Sequence, residues 1–525
     1  MKFLIALLLL SFVNPPANSV DIIIRNGKIM DGTGNSWYYG DIAIKDGRIV
    51  KIGKLNNLTA TRDVDATGMY ISPGFIDVHA HIEGDEVINP YAGNFIYDGV
   101  TSVVTGNCGS SVVDFEEYFS MLDSLKLSIN VASLIGHNDI RKAVMGRANR
   151  EPKTEELNKM KSLVEQGMSA GAVGFSTGLI YIPGTYAKTP EVVTLAKVAA
   201  AHNGVYASHI RDEGDSVTYA ISEAIQVGRE AGMPVEISHF KVGGQQNWGR
   251  SKETVAMITD ARNNGLDVTI DQYPYTASST SLSTLLPDWV LSDGQDSLVK
   301  RLAVPAIRKQ VKDFMESRLH RRKLKHFNFA MVASFKDDST YNGKSIEQIN
   351  LVKGRRHKSA DEAETILEMM EQGGAGMVFH GMSEDDVKYI MKYPFNMFAS
   401  DASIRIFNKG VPHPRGYGTN ARVLAKYVRD EKVISLEEAI RRMTSLPAQK
   451  FHLADRGLLK EGYAADILIF NDKEVQDMST FEKPHQYTRG FKYVLVNGAV
   501  TVENGVQNQT RNGKVLKLAD AGDKS

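Results

Sequence analysis

Alternating apolar and polar positions at the two ends of the chain predict short β-strands joined by tight turns. The segments 21–25, 40–44 and 48–52 show this alternation near the start, and it returns between residues 465 and 504. Asn-Gly or Asp-Gly pairs at 26–27, 46–47, 497–498 and 504–505 favour hairpin turns, because both central positions of such a turn need a positive φ. Isolated hairpins are marginal in water, so the ends are predicted to form one composite β-sandwich from residues 20–72 and 455–525.

The middle of the chain, residues 73–454, alternates short apolar segments with amphipathic ones. Strands are predicted at 101–104, 130–134, 171–175, 205–208, 235–238 and 268–270. Residues 216–232, between two of them, carry an apolar stripe at helical spacing. One strand and one helix in about 30 residues make a βαβ unit, and successive units build a parallel sheet or barrel. The predicted fold is therefore α/β, a (β/α)8 TIM-like barrel with a small β-sandwich built from both chain ends.

Late in the barrel the pattern leaves two points open. Three further candidate strands, at 329–332, 377–379 and 396–398, compete for the remaining places, so the strand order is not settled. Residues 283–349, which contain a basic run from Arg318 to Lys325, are predicted to form an insertion or lid on the barrel.

The first 19 residues have the pattern of a secretory signal peptide. Lys2 precedes the apolar run Phe3–Val13, and Ala17-Asn18-Ser19 is a small-x-small cleavage signal. The apolar run is too short to span a bilayer, which takes about 20 residues. We therefore expect residues 1–19 to be removed and the mature protein to be exported, periplasmic or secreted, with no membrane association.

Composition excludes several classes of protein. The chain has 525 residues, with 62 Lys and Arg against 62 Asp and Glu, so it lacks the basic excess that nucleic-acid binding requires. With 42% apolar residues it has ample material for a large core, and its single cysteine cannot form an internal disulfide. The oligomeric state stays open.

The first candidate metal ligands lie at the ends of the first two barrel strands. His79 and His81 share one face, because alternate side chains of a strand point the same way, and they lie where barrel sites form. Cys108 ends the next strand between two glycines. A lone cysteine is usually a small buried hydrophobe, but this position favours a thiolate ligand of Zn²⁺.

Three further candidates end later strands. His209 and His239 are 30 residues apart, one βαβ repeat, so neighbouring strands would place them side by side. Asp401 follows a late apolar strand. An aspartate there commonly caps a helix, but opposite these histidines and Cys108 it becomes a candidate general base and metal partner.

The order His-x-His, Cys, His, His, Asp on such a barrel resembles the amidohydrolase superfamily. Within it, six motifs resemble the N-acyl-D-amino-acid deacylases, or D-aminoacylases, at 106–109, 174–184, 208–213, 271–275, 379–384 and 413–419. The resemblance covers essentially the whole mature chain. Its specific marks are the cysteine in place of the carboxylated lysine used elsewhere in the superfamily, and the His-Pro-Arg segment at 413–415.

The resemblance implies zinc-dependent hydrolysis of N-acyl-D-amino acids to a carboxylate and a free D-amino acid. It implies one tight Zn²⁺ held by Cys108, His209 and His239. His79 and His81 would hold a second, weaker metal that Cys108 can bridge, with Asp401 beside the reacting water.

Four residues are expected to bind this small-molecule N-acyl amino acid substrate. Arg415 would bind the α-carboxylate, since its planar fork matches a carboxylate in a bidentate manner, although a surface ion pair is the alternative role for this arginine. Lys241 and Tyr273 are expected to assist. From its loop position, Tyr181 is expected to meet the charge that develops on the tetrahedral oxygen.

One departure from the family means that the pocket for the substrate side chain is not predicted from the resemblance. Ala402 and Ser403 follow Asp401 where the family usually has Gly, and the stretch 401–415, with Arg405, Phe407 and Lys409, is longer than usual. Two other functions stay open. One is cyclic amide hydrolysis, as in hydantoinases and dihydroorotases, although a convincing lysine on the fourth strand is missing. The other is a non-catalytic exported protein that binds metal or substrate.

Overall fold

The computed structural model describes residues 19–518. The predicted signal peptide therefore lies outside the described residues, apart from Ser19, which begins the first strand. Among residues 19–518, no helix combines the length and the apolar character needed to cross a membrane.

The strands are β1 (Ser19–Ile29), β2 (Tyr38–Lys45), β3 (Arg48–Gly53), β4 (Thr59–Asp65), β5 (Tyr70–Pro73), β6 (Phe75–Asp77), β7 (Val100–Thr105), β8 (Asn130–Ser133), β9 (Ile135–Gly136), β10 (Gly174–Gly178), β11 (Val205–His209), β12 (Val235–Ile237), β13 (Val268–Gln272), β14 (Ala277–Ser281), β15 (Ala330–Ser334), β16 (Gly376–His380), β17 (Asn396–Phe398), β18 (Ile467–Phe470), β19 (Phe491–Val496), β20 (Ala499–Glu503) and β21 (Val506–Gln507).

The α-helices are α1 (Asp85–Ile88), α2 (Gly93–Tyr97), α3 (Phe115–Leu125), α4 (His137–Met145), α5 (Thr154–Ala170), α6 (Thr189–Ala201), α7 (Val217–Ala231), α8 (Ser251–Asn263), α9 (Gln295–Leu302), α10 (Pro305–Arg321), α11 (Ile346–Val352), α12 (Ser359–Glu371), α13 (Glu384–Met391), α14 (Arg415–Arg422), α15 (Leu436–Met443) and α16 (Ser445–Lys450). A π-helical segment, Val423–Asp430, continues α14.

Strands from both chain ends form one nine-stranded sheet. Its order is β21-β20-β19-β18-β5-β1-β2-β3, and β4 pairs with β1. The sheet curls around a shared core, because Ile49 of β3 and Ile467 of β18 pack in the same apolar cluster. The edge at β3 also meets the segment before β18, where Ile49 N donates to Tyr463 O at 2.9 Å. The two ends thus form one unit, in which the two layers of the predicted sandwich are parts of a single curled sheet.

Asn26-Gly27 is not the hairpin turn that the sequence predicts. The pair lies inside β1 at a bulge, where the register against β2 shifts between Ile24 and Gly27. Before the bulge β1 pairs with β4, and after it β1 pairs with β5. A Cβ on Gly27 would lie 2.3 Å from Ile71 Cδ1, so any larger residue there would force the Ile71 side chain to shift. The other three predicted turns connect neighbouring antiparallel strands, with positive φ at both residues.

Eight parallel strand positions form the barrel, which confirms the predicted fold class. Their order is β6, β7, β8 continued by β9, β10, β11, β12, β13 and β17. A bridge between Ala80 and Ala402 closes the ring between β17 and β6. The prediction placed β10 about three residues too early, because Gly171 (φ 112°) ends α5 instead of starting the strand. Of the three late candidate strands, only 396–398 belongs to the barrel.

The other two late strands belong to the insertion, which is larger than the predicted 283–349. β14, β16 and β15 form a separate antiparallel sheet, so the insertion begins near Ala277 and ends near His380. It has its own apolar core, to which Leu282, Val332 and Met377 belong. The predicted boundaries miss β14 and β16 because their antiparallel partners lie far away along the chain.

The last described residues also differ from the prediction that the whole of 455–525 joins the sandwich. After β21 the chain leaves the sheet and runs along the N-terminal ends of the barrel strands. Val131 N donates to Lys514 O at 2.9 Å, and Leu518 N donates to Gly171 O at 3.0 Å. Leu516 and Leu518 pack against the apolar cluster inside the barrel. This segment therefore covers the face of the barrel opposite the strand ends that carry the candidate ligands.

Candidate active site

The candidate ligands meet at the C-terminal ends of the barrel strands. The six side chains are His79 and His81 after β6, Cys108 after β7, His209 at the end of β11, His239 after β12 and Asp401 after β17. Three groups of them, each with ligand atoms within 4.8 Å of one another, could hold a metal ion: His79, His81 and Cys108; Cys108, His209 and His239; and His79, His239 and Asp401. The structure thus brings together all six residues singled out from the sequence.

Two glycines shape the loop that presents Cys108. Gly106 and Gly109 both have φ 74°, and a Cβ on Gly106 would lie 1.9 Å from Leu134 O. Ser176 ties the loop to β10, because its hydroxyl accepts from Gly109 N at 3.0 Å and donates to Gly106 O. Only glycine fits these backbone approaches, so the two glycines set the position of the thiol.

The Cys108 sulfur lies at the centre of the imidazoles. Its Sγ is 3.3 Å from His79 Nε2, 3.5 Å from His209 Nδ1 and 3.6 Å from His239 Nε2. Burial favours the neutral thiol, but the charge of the neighbouring His79 and His209 outweighs it and lowers the pKa of Cys108 well below its usual range. The site therefore favours a thiolate.

Asp401 links this cluster to Arg415. Its Oδ1 lies 3.3 Å from His81 Nε2, and its Oδ2 lies 2.9 Å from Arg415 Nη2. Burial opposes ionisation of this carboxyl, but Arg415 and the hydrogen bond from His81 lower its pKa well below the usual range. Asp401 is therefore held as a carboxylate next to the sulfur and the imidazoles.

A cavity of about 410 Å³ opens onto these groups. The cavity is lined by five of the site residues predicted from the sequence: His81, Cys108, Tyr181, Asp401 and Arg415. Arg415 is 3% exposed, and its Nε and Nη1 are buried without a hydrogen-bond partner among the described residues. Tyr181 OH bonds to Thr280 Oγ1 of β14 at 3.0 Å. Strand β14, together with Ser279, thus completes one side of the cavity.

Residues 62–502 match the model of an amidohydrolase family, and residues 11–75 also match the N-terminal domain of the urease alpha subunit. The chain is 33% identical to the D-aminoacylase of Alcaligenes xylosoxydans xylosoxydans, over 94% of this chain and 97% of that protein. The chain belongs to the amidohydrolase family.

Two solved structures resemble this amidohydrolase over 95% of its chain and 100% of theirs. One is a D-aminoacylase, which is 32% identical with a TM-score of 0.81. It has a binuclear metal centre, in which one metal activates the enzyme and the second attenuates it. The N-acyl-D-glutamate deacylase of Bordetella bronchiseptica is 34% identical, also with a TM-score of 0.81. That enzyme was solved with zinc and a phosphonate inhibitor that mimics the tetrahedral intermediate of its reaction.

In this amidohydrolase, two predicted substrate-binding residues lie behind the cavity wall. Lys241 Nζ lies 2.8 Å from His239 Nδ1 and donates to the Glu213 carboxylate. The ring of Tyr273 lies 4.4 Å beneath the Arg415 guanidinium, and its buried hydroxyl has no partner among the described residues. Both therefore support side chains at the site, His239 and Arg415, and their contact with substrate stays a prediction.

Three carboxylates orient the ligands of the amidohydrolase site, and none of them was predicted from the sequence. Asp77 accepts from His79 N at 3.0 Å and Ser400 N at 3.1 Å, which joins the ends of β6 and β17. Asp271 Oδ2 lies 3.3 Å from His79 Nδ1, and Glu213 Oε1 lies 2.9 Å from His239 Nδ1. Such partners fix ring orientation and tautomer. Glu213 and Asp271 lie in motifs that resemble the family, and Asp77 lies two residues before His79, so these positions were the signal available in the sequence.

The donor set of this amidohydrolase fits a zinc ion. A thiolate and imidazole nitrogens are the ligands that Zn²⁺ prefers, and three protein ligands leave a position open for catalysis. Cys108, His209 and His239 supply such a set, and all three are buried. His79 and His81 form a second candidate group with Cys108, and Asp401 forms a third with His79 and His239.

Proposed function

We propose that this protein hydrolyses the amide bond of N-acyl-D-amino acids to a carboxylate and a free D-amino acid. The observation that carries the proposal is one cavity in which Cys108, flanked by His209 and His239, faces the ion pair of Asp401 and Arg415. The names of the matched relatives, D-aminoacylase and N-acyl-D-glutamate deacylase, support the amide substrate and its D configuration.

Cys108, His209 and His239 would hold one tight Zn²⁺, and His79 and His81 together with Cys108 would form a weaker second position. When bound, the metal supplies Lewis-acid activation of water and of the amide carbonyl. The binuclear centre of the matched D-aminoacylase supports two positions of unequal role.

Asp401 carries the proton in this mechanism. Its carboxylate accepts a proton from water while the water oxygen bonds to the amide carbon. The same group then gives that proton to the amide nitrogen as the C–N bond breaks. Arg415 and His81 hold Asp401 ionised before the reaction, so its oxygens carry no proton when water arrives.

Arg415 binds the substrate α-carboxylate through donors that the protein leaves free. Its Nη2 bonds to Asp401, whereas its Nε and Nη1 have no partner among residues 19–518. A carboxylate there would make charge-assisted hydrogen bonds and would align the amide with Asp401. Tyr181 lines the cavity, and its hydroxyl would donate to the carbonyl oxygen as charge develops on it.

A panel of N-acetyl-D- and N-acetyl-L-amino acids, with hydantoin as the cyclic amide and zinc measured alongside, tests the proposal. We expect turnover of D-configured linear amides, with zinc bound. Turnover of hydantoin alone would favour the cyclic amide hydrolase. Binding of substrate by the zinc-loaded protein with no turnover of any amide would favour the non-catalytic binding protein.

We further propose that the protein is exported to the periplasm or secreted. The support is the sequence of the first 19 residues, with a positive start, an eleven-residue apolar run and a small-x-small site. Expression of the whole gene, followed by N-terminal sequencing of the protein in each cell fraction, tests this. A mature N-terminus near Val20 outside the cytoplasm is expected, and an intact Met1 terminus in the cytoplasm would contradict it.

A further inference from the structure

The cavity carries more positive charge than one substrate carboxylate needs. Its wall contains four cationic side chains and two carboxylates: Lys142, Arg147, Arg405, Arg415, Asp139 and Asp401. Asp401 is paired with Arg415, and Asp139 lies 3.6 Å from Lys142. Among residues 19–518, neither Arg147 nor Arg405 has a carboxylate oxygen close enough to form an ion pair, although the charges of Asp85 and Asp401 act on Arg405 from a greater distance.

The backbone around Arg405 is anchored on both sides. Arg405 N donates to Asn94 Oδ1 at 3.0 Å, and Asn94 Nδ2 donates to Ser403 O at 3.2 Å. Asn89 Nδ2 donates to Arg405 O at 3.0 Å. These hydrogen bonds tie the segment after Asp401 to the region of α1 and α2, so Arg405 starts from a defined backbone position.

The Arg405 guanidinium lies next to Arg415 without a partner of its own. Its Nε is buried and makes no hydrogen bond to the described residues. A Cβ built on Gly416 would lie 3.0 Å from this Nε, so the group packs over the residue that follows Arg415. Burial and the nearby charge of Arg415 both lower the pKa of Arg405. A bound anion would offset that repulsion.

The covalent structure of an N-acyl amino acid indicates which anion would lie beside Arg405. When Arg415 binds the α-carboxylate, the amino-acid side chain is attached to the adjacent α-carbon. The acyl group lies farther away, on the other side of the scissile amide. A cation beside Arg415 therefore meets the amino-acid side chain. We propose that Arg405 binds a carboxylate in that side chain, so that the substrates are N-acyl derivatives of D-aspartate or D-glutamate. This inference rests on the proposed function.

N-acetyl-D-glutamate and N-acetyl-D-glutamine test the inference, because they match in length and differ in side-chain charge. A hydrogen bond to a charged group is worth about 1.5–3 kcal/mol, so the zinc-loaded protein should favour the acid in kcat/KM by about tenfold or more. R405Q should reduce this ratio to about one, and R405K should keep part of it because the charge remains. R147Q, which removes one charge from the same cavity, should change the ratio by less than about threefold.

Equal kcat/KM for the two substrates in the native protein would overturn the inference, as would an R405Q variant with normal zinc content that keeps the preference. An R147Q variant that lowers the ratio as much as R405Q would also overturn it, because the cavity's general field would then select the acid. Each of these outcomes leaves the proposed function standing. No turnover of any N-acyl-D-amino acid would instead overturn both.

Discussion

Cys108, His239 and Asp401 adopt left-handed backbone angles that residues with a Cβ rarely take. Their φ values are 55°, 37° and 48°. Such conformations cost about 1–3 kcal/mol each and persist where the surroundings over-determine them. Here the surroundings include hydrogen bonds to neighbouring elements, such as the one that His239 N donates to Asp271 Oδ1 of β13 at 2.9 Å. At the scale of single residues, three of the six candidate ligands thus occupy strained positions that their neighbours hold.

Cys108→Ala should lose most of the bound zinc and nearly all activity, because one of three tight ligands is removed. Zinc content by atomic absorption and turnover of an N-acetyl-D-amino acid measure the two effects. Cys108→Ser, which keeps the shape and a weaker oxygen donor, is the matched control and should bind more zinc than the alanine variant. Full zinc occupancy with normal turnover in Cys108→Ala would show that the thiol is no ligand.

Asp401→Asn should lower kcat by about 10²–10⁴, the range for a general acid-base residue, because the amide cannot accept the proton of water. The tight zinc should remain, since Cys108, His209 and His239 are unchanged. Steady-state kinetics and zinc content on the same preparation separate the two roles. Near-normal kcat would make Asp401 a structural residue.

At the scale of elements, the loops after the barrel strands carry the chemistry, and the insertion completes the cavity. Ser279 and Thr280 of β14 line it, and Arg415 Nη2 donates to Ser279 O at 3.3 Å. His413 holds the same strand, with its Nε2 2.9 Å from Ala277 O. The insertion therefore contributes one wall of the site.

Gly106→Ala should disrupt the Cys108 loop more than an alanine does at a glycine that has only a positive φ and no close neighbour. Its Cβ would lie 1.9 Å from Leu134 O, which is backbone and cannot move aside cheaply. Gly232→Ala is the matched control, since Gly232 has φ 69° and a Cβ there meets nothing within 4 Å.

The control should lose about 1–2 kcal/mol of stability from backbone conformation and keep its zinc. Gly106→Ala should lose more and also bind zinc less tightly, because Cys108 moves. Chemical denaturation and a zinc-affinity titration give both numbers. Equal losses in the two variants would contradict the close approach to Leu134.

At the scale of the whole molecule, the C-terminal part of the chain contacts the barrel from outside its strands. Asn130, at the start of β8, shows this connection. Its side-chain amide donates to Asp466 Oδ2 at 2.9 Å, and its Oδ1 accepts from Lys514 N at 3.0 Å. Arg456 also pairs with Asp466 at 2.6 Å. One buried polar network thus joins the barrel, the sheet and the last described segment.

A chain that ends at Gln509 should unfold more easily than one that ends at Leu518. It loses the half-buried Val515, Leu516 and Leu518 and the backbone hydrogen bonds to Val131 and Gly171. We expect a loss of about 2–4 kcal/mol in the free energy of unfolding. Because this segment lies on the face opposite the site, kcat/KM at low temperature should be nearly unchanged. Equal unfolding curves for the two chains would show that the segment adds no stability.

The sequence by itself determined the local features of this protein. Apolar runs and helical stripes marked the barrel strands and their helices, because side-chain periodicity is a local property. Chemistry-bearing residues at the ends of five strands, with a separation of 30 residues between His209 and His239, were enough to predict a shared metal site. The order of those residues was enough to indicate the family.

Tertiary structure decided what depends on partners far apart in the chain. The sequence Asn26-Gly27 predicts a turn, but the pairing of β1 with β4 and then with β5 makes it a bulge. The strands at 330–334 and 376–380 carry the apolar signature of barrel strands, but they pair in the insertion. Glu213, Asp271 and Arg405 acquire roles only from what lies beside them in space. Periodicity records which face of an element is buried, whereas strand partners, buried hydrogen bonds and unpaired charges depend on contacts that no local pattern encodes.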